Sequence, residues 1–129
     1  MSSIYIAAKT DTYTTINSII GTEVFLTTNT TSPPTHDYMV ESYIDVSVMQ
    51  AGDTTVITEY IAIDNTNYHA FSKVTLVGVQ PFPLLRFHGK MLYSYQAGSV
   101  GTLYKIGLKQ TVGTIRTYPY TSILQVFSA

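Results

Sequence analysis

The chain contains no cysteine and no tryptophan in its 129 residues. The first absence removes disulfides and thiolate chemistry, and with them any inference about redox compartment. Charge is scarce: Asp, Glu, Lys and Arg together supply 12% of the residues, against about 25% in an ordinary soluble domain. The net charge of −1 provides no strong field to gather nucleic acid or anionic lipid. No apolar run approaches the roughly 20 residues of a membrane-spanning helix. The opening Met1-Ser2-Ser3-Ile4-Tyr5 lacks the basic and apolar regions of a signal peptide. Neither a nucleic-acid partner nor a membrane partner is expected, and no signal peptide or transmembrane segment.

What is present favours strands. Hydrophobic residues make up 45% of the chain, and its polar part is rich in Thr, Ser, Asn and Tyr, with eleven tyrosines. Such a chain is apolar enough to collapse. Branched and aromatic side chains pack well on a pleated surface. The length fits one core, and no linker or internal repeat is visible, so residues 1–129 read as a single β-sandwich domain.

Short alternating or apolar runs bounded by Gly, Pro, Asn and Asp recur along the chain. Ile4 to Ala8 reads as a strand, Thr12 to Ile20 as a strand or an irregular arm, and Glu23 to Thr28 as a strand. Asn29 to Pro34 is a break, because two prolines cannot donate to a ladder. Asp37 to Gln50 alternates most clearly, with Tyr38, Val40, Ile44, Val46 and Val48 on one face and Asp37, Glu41, Asp45 and Ser47 on the other. Ala51-Gly52-Asp53 predicts a hairpin turn, with Thr54 to Ile63 returning antiparallel. Asp64 to Asn67 is a second turn before the strand Tyr68 to Val77.

Gly78 to Pro83 predicts a crossing loop. Leu84 to Tyr95 follows, with Leu85, Phe87, Met91, Tyr93 and Tyr95 opposite Arg86, His88 and Lys90. After a loop at Gln96 to Gly101, Thr102 to Thr111 turns Tyr104, Ile106 and Leu108 inward and Lys105 and Lys109 outward. Gly113 marks a turn. Thr114 to Tyr118 is a short strand ending at Pro119, and Ile123 to Phe127 is an apolar closing strand covered on both sides. Eight to ten strands at this spacing predict an all-β antiparallel sandwich.

Charge is segregated. All eight acidic residues lie between Asp11 and Asp64, and six of the seven basic residues between Lys73 and Arg116. Either Glu41 and Asp45 pair across strands with Arg86, Lys90, Lys105 or Lys109, or the acidic patch of one molecule meets the basic patch of the next.

Catalytic signatures are absent from the sequence. His36, His69 and His88 do not fall in metal-ligand spacing. Asp37, Glu41 and Asp45 share a face, but i to i+4 on a strand spans about 13 Å, too far for one metal or for paired glycosidase carboxylates. There is no GxSxG, P-loop or GxGxxG pattern. Catalytic, cofactor-binding and metal residues are therefore all expected to be none, and the chain is read as a non-enzyme. The aromatics near Arg86, His88 and Lys90 alternate with them and do not share their face, which argues against a nucleic-acid platform. Tyr13, Tyr60, Tyr68, Tyr118 and Tyr120 could stack sugars if exposed, and a carbohydrate-binding module using tyrosine platforms is the rival reading, with a glycan as partner. Asn29-Thr30-Thr31 matches a glycosylation sequon to which no role is given.

The C-terminal half resembles trimeric jelly rolls of the tumour-necrosis-factor and complement type, found in viral and phage head-fibre and decoration proteins. The order carries the resemblance: Phe87-His88-Gly89-Lys90, the loop at Gln96-Ala97-Gly98, the strand Leu103 to Gln110, Gly113-Thr114-Ile115, and the end Ser122 to Phe127. It covers about the last 45 residues, and the N-terminal third fits less well. The resemblance implies a jelly roll rather than an immunoglobulin-like sandwich, with the closing strand near a threefold axis. The leading expectation is a viral structural or capsid decoration protein located in the virion. Its partners would be itself, as a homo-oligomer with a trimer favoured, and other capsid proteins. The candidate subunit contact is Tyr118, Tyr120, Ile123, Gln125 and Phe127.

Overall fold

The computed structural model describes residues 5–26, 37–64, 66–92 and 102–128, with the backbone alone for 5–10, 88–92 and 127–128. Eight strands are present: β1 (Tyr5–Asn17), β2 (Val24–Phe25), β3 (Tyr38–Asp45), β4 (Thr54–Ala62), β5 (Tyr68–Val77), β6 (Leu84–Leu92), β7 (Leu103–Val112) and β8 (Thr117–Ser128). They form two four-stranded antiparallel sheets, ordered β1–β8–β3–β6 and β2–β7–β4–β5. The described residues contain no helix, and none of them forms a helix long and apolar enough to cross a membrane.

Period-two alternation builds the core. In β3, Tyr38, Val40, Ser42 and Ile44 are buried while their neighbours are half-buried. From the facing sheet, β7 contributes Tyr104, Ile106 and Leu108, and β4 contributes Ile57. Tyr118 and Tyr120 enter from β8. The two sheets pack through this cluster as a sandwich. Truncating one of these aliphatic residues to Ala would cost about 2–5 kcal/mol.

Three expectations about connectivity change. The segment Val46–Asp53 is not a hairpin: β3 and β4 lie in different sheets. The alternation runs through Val46 and breaks at Met49, which is fully buried although its parity is the outward one, with the Met49 N–H donating to the Val46 carbonyl at 3.1 Å. That bend carries the chain from one sheet to the other. Second, Ile4–Ala8 and Thr12–Ile20 are not two elements, since β1 runs unbroken through Lys9–Asp11 along β8, with a register shift between Ile6 and Ala8. Third, β8 does not stop at Pro119. Its ladder with β3 begins at Tyr120, so the proline sits at that ladder's margin, where a missing N–H is tolerated.

The Asp64 turn and the Gly78–Pro83 crossing follow the sequence reading. β4 and β5 form a true hairpin. Asp64 closes it by accepting the Asn67 N–H at 2.7 Å, the Asn67 side-chain amide at 2.6 Å and the Thr66 N–H at 3.0 Å, which lowers its pKa to about 2. β5 and β6 lie in opposite sheets, as a crossing loop requires. Strand β2 is shorter than Glu23–Thr28, and Thr27 to His36, Tyr93, Tyr95 and the Gln96–Gly101 loop lie outside the described residues.

Candidate binding surfaces

The register places four sheet-to-sheet connections at one end of the sandwich. β1 ends opposite the start of β8 (Asn17 with Thr117), β3 ends opposite the start of β6 (Asp45 with Leu84), and β5 and β7 both end beside Thr54 at the start of β4. The connections at 18–23, 46–53, 78–83 and 113–116 therefore share this end.

Two buried polar assemblies brace it. Asp53, 1% exposed, accepts the Arg116 Nε–H at 2.8 Å, the Gln50 N–H at 2.9 Å and the Thr114 N–H at 3.2 Å. Its own carbonyl accepts the Gly78 N–H at 2.8 Å. The Arg116 guanidinium and these amides hold the Asp53 carboxyl below the usual carboxylate range. Beside it, buried Gln110 accepts the Ser18 hydroxyl at 2.6 Å and donates to the Thr114 carbonyl at 2.6 Å. Ser18 in turn accepts the Arg116 N–H at 2.9 Å, and Thr55 shares a hydrogen bond with the Tyr118 hydroxyl at 2.8 Å. All four connections are thereby tied together.

On this braced end, apolar side chains face solvent. Phe82 is 82% exposed, and Ile19, Ile20, Val77, Val79, Val112 and Ile115 are also exposed. The hydrogen bonds above anchor these connections, and the side chains keep between 40% and 82% of their surface open to solvent.

The outer face of the β2–β7–β4–β5 sheet is polar. Lys105 sits 4.2 Å from the ring centroids of Phe25 and Tyr68 and 5.5 Å from that of Tyr60. Gly107, without a Cβ, leaves room for the Glu23 carboxylate over β7, and Glu23 accepts the Tyr60 hydroxyl at 2.8 Å. Burial and this bond raise the Tyr60 pKa. Lys73 and Lys109 line the adjoining groove with Thr58 and Thr111.

On the outer face of the other sheet, Arg86 pairs with Glu41 at 2.5 Å, and Tyr43 donates to the same carboxylate oxygen at 2.8 Å. The Glu41–Arg86 pair and the Asp53–Arg116 pair both join the acidic half of the sequence to the basic half within one chain. Lys105 and Lys109 lie across the sandwich from Glu41 and Asp45, so these four charges do not share a pocket.

The five expected contact residues do not share one surface. Tyr118 and Tyr120, at 0% and 4% exposure, belong to the chain's own core. Even-numbered positions of β8 face inward, which puts Ile123 and Gln125 on the outer face, half-buried. The Phe127 side chain lies outside the described residues, and β8 itself is flanked by β1 and β3. Of the expected sugar platforms, Tyr60 and Tyr68 cradle Lys105, Tyr118 and Tyr120 are inside, and Tyr13 is 76% exposed. Among the described residues no group of three His, Asp or Glu side chains could hold a metal. His69 is exposed on β5, and the side chains of His36 and His88 lie outside the described residues.

Asp53, Glu23 and Phe25 were not singled out by sequence. Phe25 on a two-residue strand gives no alternation to read, and an Asp beside a turn Gly resembles any solvated turn residue.

Compared with known protein families, with curated proteins and with solved structures, the chain matches none of them.

Proposed function

We propose that this chain is a jelly-roll structural protein that assembles with copies of itself on a virus particle. The carrying observation is the braced end of the sandwich, where Phe82, Val79, Ile19, Ile20 and Ile115 stand exposed on connections anchored by buried hydrogen bonds, with Val77 exposed at the end of β5. Exposed apolar side chains that cluster on a small domain mark interaction sites, and here each pair of connecting loops at this end carries such a group. Rigid display also lowers the entropy lost on association, because little ordering remains to be done.

The strand order supports the finer architecture. Eight strands ordered β1–β8–β3–β6 and β2–β7–β4–β5 are the arrangement expected of two Greek keys folded into a jelly roll. That fold recurs in viral capsid domains, and the C-terminal half of the sequence resembles the trimeric members. In this reading the contact moves from the inward tyrosines of β8 to the end at which β8 begins. The patches at 19–20 and 77–82 come from opposite edges of the sandwich, and two different patches are what a ring of three requires. The role is structural, with no catalytic group assigned.

Light scattering on the purified chain tests this. Three times the 14.3 kDa chain mass is expected at micromolar concentration. A chain that stays monomeric at high micromolar concentration would contradict the proposal.

A further inference from the structure

Beyond assembly, the outer face of the β1–β8–β3–β6 sheet carries a slot that no part of the assembly reading uses. The register puts Tyr13, Thr121, Tyr43 and Arg86 in one row across all four strands. Tyr13 and Tyr43 are thus separated by a single strand, with Thr121 between them. At about 4.8 Å per strand, the backbones carrying the two rings stand about 9.5 Å apart. Two aromatic side chains rising from the sheet at that spacing leave a gap one ring wide. The next row supplies Leu84 and Asp45, which are register partners, and Pro119 also lines the slot. The cavity is about 140 Å³. A cavity of about 150 Å³ takes up one six-membered ring.

One wall is fixed in advance. Tyr43 is tied by its hydroxyl to Glu41, and the Arg86 guanidinium lies 5.9 Å from its ring centroid. The Tyr43 ring is therefore oriented before anything binds. The opposite wall, Tyr13, is 76% exposed and makes no ring contact with another described aromatic. The polar groups are few and placed at the floor and end. Asp45 accepts the Ser47 N–H at 2.9 Å through Oδ1 and also a hydrogen bond from the Ser47 side chain, and the roughly four lone-pair sites of a carboxylate leave room for a further donor. Thr121 adds a hydroxyl that can donate or accept.

We propose that this slot binds one neutral pyranose ring of a glycan. Apolar walls with a small number of oriented polar groups are the general form of a small-ligand site. A pyranose has C–H faces for the Tyr13 and Tyr43 rings and the Leu84 and Pro119 side chains. Its hydroxyls can donate to the Asp45 carboxylate, a charge-assisted bond of the stronger kind, and exchange a bond with Thr121. A purely apolar ring would offer no hydroxyl to the Asp45 carboxylate or Thr121, and an acidic sugar would be repelled by the carboxylate. The inference stands on the sheet register and needs no oligomer.

The test is amide-resolved NMR titration with methyl glycosides of glucose, galactose, mannose and N-acetylglucosamine at millimolar concentration. At least one glycoside should shift the amides of Tyr13, Tyr43 and Thr121. Tyr13→Ala should then weaken binding by about tenfold or more, and Tyr13→Phe should retain it. Because Tyr13 is exposed, its removal leaves the core intact, which the same spectra report. Asp45→Asn should weaken binding without moving the Tyr43 signals of the free protein. Binding unchanged in Tyr13→Ala, no shift at these amides with any of the glycosides, or a proline-rich peptide shifting them where no glycoside does would each overturn the proposal. A variant made monomeric at Phe82 should bind the same glycoside equally well, which separates this failure from failure of the assembly reading.

Discussion

Arg116 donates its Nε–H to Asp53 across 2.8 Å, and this contact joins the loop before β4 to the loop before β8. The carboxylate is almost wholly buried, while the arginine side chain keeps 25% exposure. Removing the arginine leaves a buried charge with backbone donors only. Arg116→Met should cost about 1.5–3 kcal/mol, read by urea unfolding. The Asp53 pKa is lowered in the folded state, chiefly by Arg116. Its contribution is therefore complete above the unfolded carboxyl value of about 3.9 and fades as pH falls through the lower folded value. The Arg116→Met midpoint should accordingly depend less on pH below about 4 than the parent's.

Gly113 adopts φ 105° directly against Asp53. A Cβ there would stand 2.8 Å from the Asp53 Cα and strike its carboxylate. Gly52, with φ 93°, has open space around the same position. Gly113→Ala should therefore destabilise by more than the roughly 1–3 kcal/mol of backbone strain that limits Gly52→Ala. Thermal melts of the two variants compare them directly, and equal losses would show that the Asp53 loop moves aside.

Tyr104 donates to Glu59 at 2.6 Å in a buried setting. Burial, reinforced by the neighbouring carboxylate, pushes the Tyr104 hydroxyl far above the usual tyrosine range. Ultraviolet titration should show a tyrosine still protonated well above the ordinary range of about 10, with Tyr104→Phe removing that late step. Tyr104→Phe should cost about 1–3 kcal/mol because the Glu59 carboxylate loses this donor. Adding Glu59→Gln to it should recover part of the loss, since a neutral amide is easier to bury than a charge.

The inner faces of β3 and β7 were legible in the sequence because period-two patterns with branched and aromatic residues admit few other readings. Tyr38, Val40, Ile44, Tyr104, Ile106 and Leu108 all lie where their parity places them. Sheet membership was not legible. A strand, a Gly turn and another strand read as a hairpin, yet buried Met49 and Asp53 make Val46–Asp53 a crossing. That depends on contacts from Pro83, Gly78 and Arg116, which are remote in sequence. The closing strand misled for a related reason. Without an inward-outward contrast of charge, Tyr118 and Tyr120 looked available, while exposed Ile19, Ile20, Val79, Phe82 and Ile115 stood in connections where alternation has no meaning.

Sedimentation equilibrium on the parent chain beside Val79→Ser/Phe82→Ser and Ile123→Ser variants tests most directly where copies of the chain meet. Val79 and Phe82 are exposed at the braced end, so their replacement spares the core. A trimeric parent, a monomeric Val79→Ser/Phe82→Ser variant and a still-trimeric Ile123→Ser variant are the expected results. A monomeric parent at high micromolar concentration, or a Val79→Ser/Phe82→Ser variant that remains trimeric, would contradict assembly through this end of the sandwich.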